Sequence, residues 1–320
     1  MSLTRAEQLF NLRAVNVGAH HIQPASARGQ PNSIQTIQSS HRLDIIYAWL
    51  TGLDPTTAAS ISHDVTADYT LLSGTIMDLG CGQGDQTGAL AALIANAHPE
   101  LSTSKVVGVD PAPLDYGSPY TLQQAQAELA HSTLRENLSF IRGKTAPQVL
   151  ETQRFDTVIL AHSLWYFPSG QELKRTFEAI RKAGVKHLLL AEWAMSASHP
   201  DALPHLLAAL LQGQSPVEGG NIQTPISPQQ VKHIATEAGW NFKRELTFLP
   251  SDRLQDGGWE VDMAKDAADA AAKFDAKGDR TAQKLQQSVQ ATRYALEQAV
   301  GRIGKRTRSM DVWTAVLTPA

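Results

Sequence analysis

Cysteine is almost absent from this chain of 320 residues, Cys81 being the only one. That excludes an internal disulfide and a cysteine-rich zinc site, and it favours a reducing compartment such as the cytoplasm. Long apolar runs are missing as well. The longest candidate, Leu203 to Leu211, is interrupted by Pro204 and His205, well short of the roughly 20 residues a membrane span needs. Charge of one sign is also lacking: the formal net charge is -3, so no global field draws the chain to nucleic acid or to an acidic membrane. Met1 to Val17 alternates apolar and polar residues around Glu7, which is not the pattern of a signal peptide. His20 and His21 are adjacent and cannot share a helix face, and no spaced histidine or carboxylate completes a metal set with them or with His41, so no metal is expected. What remains is an ordinary globular composition, sized for one elaborated α/β domain or two small ones.

The most informative segment runs from Thr75 to Asp85, Thr-Ile-Met-Asp-Leu-Gly-Cys-Gly-Gln-Gly-Asp. A short apolar run carries an acid, Asp78, and ends in glycines at alternate positions, Gly80, Gly82 and Gly84; a helix-forming stretch, Asp85 to Ala97, follows. A strand that turns through glycines into a helix is how parallel α/β proteins hold nucleotide-like ligands, because glycine permits left-handed torsions and close approach to the backbone. The spacing is not the Gly-x-Gly-x-x-Gly of dinucleotide enzymes. Cys81 reads as a small residue in the turn, with no Lys or His beside it to activate a thiolate.

Alternation of short apolar runs and helical segments continues through the chain. Strands are expected at 76–79, 106–110, 138–141, 157–161 and 187–192, with helices at 85–97, 121–134, 170–182 and 228–238. This predicts a mostly parallel, doubly wound sheet covered on both faces. Ser33 to Leu50 reads as a helix stopped by Gly52 and Pro55, and residues 54–73 as surface connection. Two further strands, at 240–249 and 310–317, enclose about fifty residues of helical character, including an Ala-rich stretch from Met263 to Lys277 and a face made by Leu285, Val289, Leu296, Val300 and Ile303. The basic run Arg302, Lys305, Arg306 and Arg308 reads as a solvated helix end.

The Asp78 to Gly84 segment resembles motif I of the class I S-adenosylmethionine (SAM)-dependent methyltransferases, of small-molecule type. The layout of flanking helices is similar to that of small-molecule members, including those of fungal secondary metabolism. The resemblance implies a seven-stranded, mostly parallel doubly wound sheet whose last strand inserts antiparallel beside the fifth. It implies a helical N-terminal cap at 1–73 and a SAM-binding domain at 74–320, with helical insertions at about 195–227 and 252–305. It implies SAM contacts from Asp78, Gly80, Cys81, Gly82, Gly84, Asp110, Pro111, Gly143 and Ala161. Asp110, ending the second strand, is either the ribose acceptor of such folds or a turn cap. Many relatives place an acid or amide after the third strand to read adenine; here Arg142-Gly143-Lys144 stands there.

Residues past the carboxyl ends of the strands line the ligand crevice of such folds. After the fourth strand comes His162-Ser163-Leu164-Trp165-Tyr166, and the fifth ends in Glu192-Trp193. His162 is either a general base, its ordinary pKa being near neutrality, or a backbone-bonded residue that shapes the pocket. Glu192 either binds an amine or positions a base, or it is structural. Trp165, Tyr166 and Trp193 frame an acceptor or pack beneath the next helix, and His20 and His21 contact it from the cap. The expected reaction is methyl transfer from SAM to O, N or S of a small molecule. The alternatives are a SAM-binding relative that does not methylate, such as a pericyclase or regulatory partner, and an NAD-dependent dehydrogenase. A nucleic-acid methyltransferase is disfavoured by the absence of an Asn/Asp-Pro-Pro-aromatic motif after the fourth strand. No oligomeric state is legible.

Overall fold

The apolar runs form one sheet. The computed structural model describes residues 3–57, 65–96, 98–214, 222–272, 278–304 and 306–320. The strands are β1 (Thr75–Leu79), β2 (Lys105–Asp110), β3 (Leu138–Arg142), β4 (Thr157–Ala161), β5 (His187–Trp193), β6 (Trp240–Phe248) and β7 (Val312–Pro319), in the order β3-β2-β1-β4-β5-β7-β6. The first five pair in parallel, and β7 lies antiparallel between β5 and β6. β1, β4 and β5 are buried along almost their whole length, as strands covered on both faces must be. β6, at the edge, alternates buried and exposed positions. The strand order reverses between β1 and β4, so the crevice beyond their carboxyl ends is the switch point of the fold.

The helices are α1 (Arg5–Phe10), α2 (Ala14–Gly18), α3 (Ile34–Thr51), α4 (Asp85–Ala95), α5 (Leu122–His131), α6 (Ala146–Leu150), α7 (Gly170–Lys182), α8 (Leu203–Gln214), α9 (Pro228–Glu237), α10 (Asp256–Ala272) and α11 (Arg280–Ile303). α7 shows why such segments choose helix. Ser169 caps it by accepting from Glu172 N, Leu173, Phe177 and Ile180 recur on one buried face, and Arg181 and Lys182 close the last turn, where the helix dipole favours cations. α3 is buried around most of its girth, and the indole of Trp49 donates to Leu190 O at 2.8 Å. This helix is therefore keyed into the sheet it covers, and its core is continuous with that of β1 to β7.

α8, α10 and α11 build a second apolar cluster from Ala208, Leu211, Val261, Ala264, Ala268, Val289 and Leu296. Leu285, expected on the same face, is 46% exposed, because the seam begins a turn later at Val289. Residues 273–277 of the Ala-rich stretch, Lys305 of the basic run and Ala97 at the end of the predicted helix lie outside the described residues, as do 58–64 and 215–221. Among the described residues no helix is long and apolar enough to cross a membrane.

Candidate active site

The turn after β1 is pinned to β2: Gly80 N and Cys81 N both donate to Val109 O, at 2.8 and 3.3 Å. Its glycines do different work. All three have positive φ. A Cβ on Gly80 would strike Ser163, and one on Gly84 would strike Leu129 and Phe140. One on Gly82 would meet nothing within 4 Å, so Gly82 presents bare backbone to open space. Asp78 lies beneath, accepting from Thr87 Oγ1 at 2.6 Å, and burial pushes its carboxyl up to about 6. Asp110 uses both oxygens: Oδ2 accepts from Gly82 N at 2.8 Å and Oδ1 from Ala112 N at 2.9 Å. It thus ties β2 to the glycine turn, and each oxygen keeps a second lone pair. Gly143 N returns to Asp110 O at 2.8 Å. Cys81 is buried and its thiol is pushed well up, chiefly by desolvation, as an inert turn residue should be. Arg142 Nε donates to Gln126 Oε1, and Gln126 Nε2 to Gly82 O, a polar strap beneath the loop.

Past β4, directly after Ala161, His162 has φ +53, a left-handed torsion uncommon outside glycine. Its N–H donates to Ala191 O at 2.8 Å. The ring is held from both sides: Nδ1 lies 3.3 Å from Glu192 Oε1, and Nε2 lies 2.9 Å from Nε2 of His41 on α3. One proton sits between the two Nε2 atoms, so each ring's tautomer fixes the other's. With Glu192 ionised, His162 donates through Nδ1 and accepts from His41 through Nε2. Burial lowers both imidazoles well below the usual histidine value, aided by the neighbouring Arg42 charge, and raises Glu192 to about 7. Glu192 also accepts from the N–H groups of Trp193, Leu164 and Trp165, so it anchors the post-β4 loop as well as the histidine.

α3 supplies more than His41. Gln38 Nε2 donates to Asp256 Oδ2 of α10 at 2.8 Å, joining α3 to α10. Arg42 stands among Asp78, Asp256, Glu192, His162 and His21, all of which its charge reaches. Its Nε and Nη1 are buried without a hydrogen-bond partner, and so are both polar atoms of the Gln86 side chain on α4. These groups carry no local motif, so the sequence alone singles out none of Gln38, Arg42, Gln86 and Asp256, and it offers His41 only as a candidate metal ligand.

The aromatic and histidine candidates separate. Trp165 is core, its indole donating to Ile226 O at 2.9 Å. Trp193 is buried within a nest of His41, His162 and His205 rings. Tyr166 is 49% exposed, and desolvation together with the nearby Glu260, Glu192 and Asp256 charges raises its phenol pKa. His21 is buried against α4, 3.6 Å from Asp85, and His20 is half-buried beside Arg28. Pro111 is exposed beyond the end of β2. Among the described residues no group of three or more His, Cys, Asp or Glu could hold a metal ion.

A switch-point crevice floored by an acid-backed glycine turn defines a Rossmann-like fold built for a nucleotide-type ligand. Residues 76–184 match the methyltransferase domain family. Two relatives from Diaporthe leptostromiformis, methyltransferase phomM' and methyltransferase phomM, are each 28% identical over 281 residues, covering 76% of this chain and 72% of theirs. A solved cyclopropane-fatty-acyl-phospholipid synthase-like protein from Lactobacillus casei superposes with a TM-score of 0.71 at 26% identity, over 98% of this chain and 99% of that one. The matched domain is that of a class I SAM-dependent methyltransferase, and its cofactor is SAM.

Proposed function

We propose that the protein transfers the methyl group of SAM to an O, N or S atom of a small-molecule acceptor held between the sheet, α3 and α10. The observation that carries this reading is the Gln38–Asp256 hydrogen bond. It joins two elements more than two hundred residues apart beside the carboxyl ends of the strands, a closure that suits a small acceptor better than a polymer.

The residues present fit the cofactor. Gly82 offers unobstructed backbone, and the spare lone pairs of Asp110 suit a ribose diol. The unpartnered Nε and Nη1 of Arg42 suit a carboxylate, and the Gln86 amide suits the same amino-acid end. Bound there, SAM supplies an electrophilic methyl on a sulfonium, which needs no metal. The protein's contribution is alignment and exclusion of water.

The buried histidine pair handles the proton. An acceptor O–H or N–H that takes the place of His41 as donor to His162 Nε2 passes its proton to that nitrogen. Glu192, at Nδ1, steadies the imidazolium that forms. Trp193 and the left-handed backbone hold the ring in place.

Incubating the full chain with SAM and pools of small-molecule acceptors tests the reading by product mass. The expected result is a product heavier by one methyl, with His162→Ala lowering turnover while SAM affinity stays. Methylation confined to added nucleic acid, or tight SAM binding without any methylated product, would overturn it.

A further inference from the structure

We propose that Asp256, Glu260 and Tyr166 form a cation site at the outer part of the cleft, so that the acceptor carries an ammonium or similar organic cation. The proposal rests on the methyltransferase reading of the same cleft and narrows its substrate class.

Asp256 and Glu260 lie one turn apart at the start of α10, spaced to share a helix face. The turn is fixed from outside, since Gly257 N donates to Ser309 Oγ at 3.1 Å. Gln212 of α8 orients Glu260 through a 2.6 Å hydrogen bond to Oε2. Among the described residues no Lys, Arg or His lies within ion-pair distance of either carboxylate. Both residues are partly buried, and desolvation raises both carboxyls, Glu260 to about 7, with the Arg42 charge partly offsetting the rise at Asp256 alone.

An independent observation points to a ligand. Gln38 is only 6% exposed, and the carboxylate of Asp256 fixes its amide with the nitrogen turned towards it. Its Oε1 is buried with no donor. A buried carbonyl without a partner, beside a carboxylate that makes no ion pair within 4 Å, offers acceptors to N–H donors. Tyr166 adds a half-exposed aromatic surface, on which a cation gains further attraction.

The cofactor also carries an ammonium, but the electrostatic neighbourhoods distinguish the two ends. Arg42, Asp110 and Asp85 act on Asp78 at the glycine turn. Glu260, Tyr116, Glu192 and Asp256 act on Tyr166. Glu260 and Tyr166 lie outside the set that acts on Asp78, while Tyr116 is reached by both Asp110 and Glu260, and Asp256 by Arg42 and Asp85, so these two stand between the regions. Arg42, with its own unpartnered N–H groups, serves an anion and leaves Glu260 uncompensated.

The test uses the full chain loaded with S-adenosylhomocysteine, titrated calorimetrically with phenethylamine and with its neutral N-acetyl derivative. Phenethylamine should bind at least about tenfold more tightly than the amide. Glu260→Gln should remove most of that preference while leaving S-adenosylhomocysteine affinity unchanged, and Tyr166→Leu should weaken the amine and spare the amide. Equal binding of amine and amide, or no binding of the amine to the loaded protein, overturns the cation site while leaving the methyltransferase reading intact. A Glu260→Gln variant that weakens S-adenosylhomocysteine as much as the amine assigns the carboxylates to the cofactor and equally overturns it. Failure of S-adenosylhomocysteine itself to bind the wild-type chain would instead sink the reading on which the proposal rests.

Discussion

Asp110→Ala separates two roles of one carboxylate. The side chain is buried and holds Gly82 N and Ala112 N at 2.8 and 2.9 Å. Hydrogen bonds to a charged group contribute about 1.5–3 kcal/mol each. Both donors are only part-buried, so water replaces the carboxylate after truncation, and the combined cost to stability falls below the simple sum, to about 2 kcal/mol. For a chain this long that is a fall in melting temperature of roughly 4–8 °C or less. SAM binding should suffer twice, through loss of the ribose acceptor and through release of the glycine turn, for a drop of about ten- to a hundredfold. Asp110→Asn keeps one carbonyl acceptor and should fall between the two. Calorimetric titration with SAM, paired with thermal unfolding of the unliganded protein, reads both effects. A lower melting temperature with unchanged SAM affinity would refute the reasoning and leave Asp110 as a loop cap alone.

Gly82→Val should abolish SAM binding while the chain stays folded, whereas Gly84→Val should fail mainly in stability, because its side chain would enter Leu129 and Phe140; circular dichroism and titration together distinguish them, and equal unfolding by both would count against an open face at Gly82. Arg42→Met should raise the KM for SAM by about tenfold or more, and an unchanged KM would remove Arg42 from the carboxylate site. His205, whose imidazole burial pushes down to about 3, accepts from Met310 N at 3.0 Å. Below its ordinary pKa of 6.5 the unfolded chain takes up a proton that the folded chain refuses, so this group's contribution to stability is lost as pH falls from 6.5 towards 3. His205→Leu should therefore be less stable than wild type near neutrality by about 1 kcal/mol for the lost acceptor, with the gap closing in acid. Urea unfolding at several pH values checks this, and a gap that widens in acid contradicts it.

The sheet was readable from sequence because its information is local. Each parallel strand is a short apolar run with both faces buried, and the glycine turn needs residues that only its own spacing supplies. Asp110 is legible for the same reason, as an acid at the end of β2. The acceptor side was much less legible. Glu192 and His162 were visible at strand ends, but their partner His41 is 121 residues from His162, and Gln38 is 218 residues from Asp256. Such pairs leave no periodicity or spacing in the chain. Trp165 and Tyr166 are neighbours in sequence, yet one fills the core and the other is half exposed, because the short 3-10 turn Leu164–Tyr166 directs them apart. Arg42 looked like one more polar residue of a helix; only its unpartnered nitrogens in a buried setting mark it out.

The most direct measurement of the central claim is a calorimetric titration of the full chain with SAM, with NAD as the control. The account predicts saturable SAM binding in the micromolar range that Gly82→Val abolishes, and no heat with NAD beyond dilution. Absence of SAM binding by the folded protein, or NAD binding of equal strength, would contradict it.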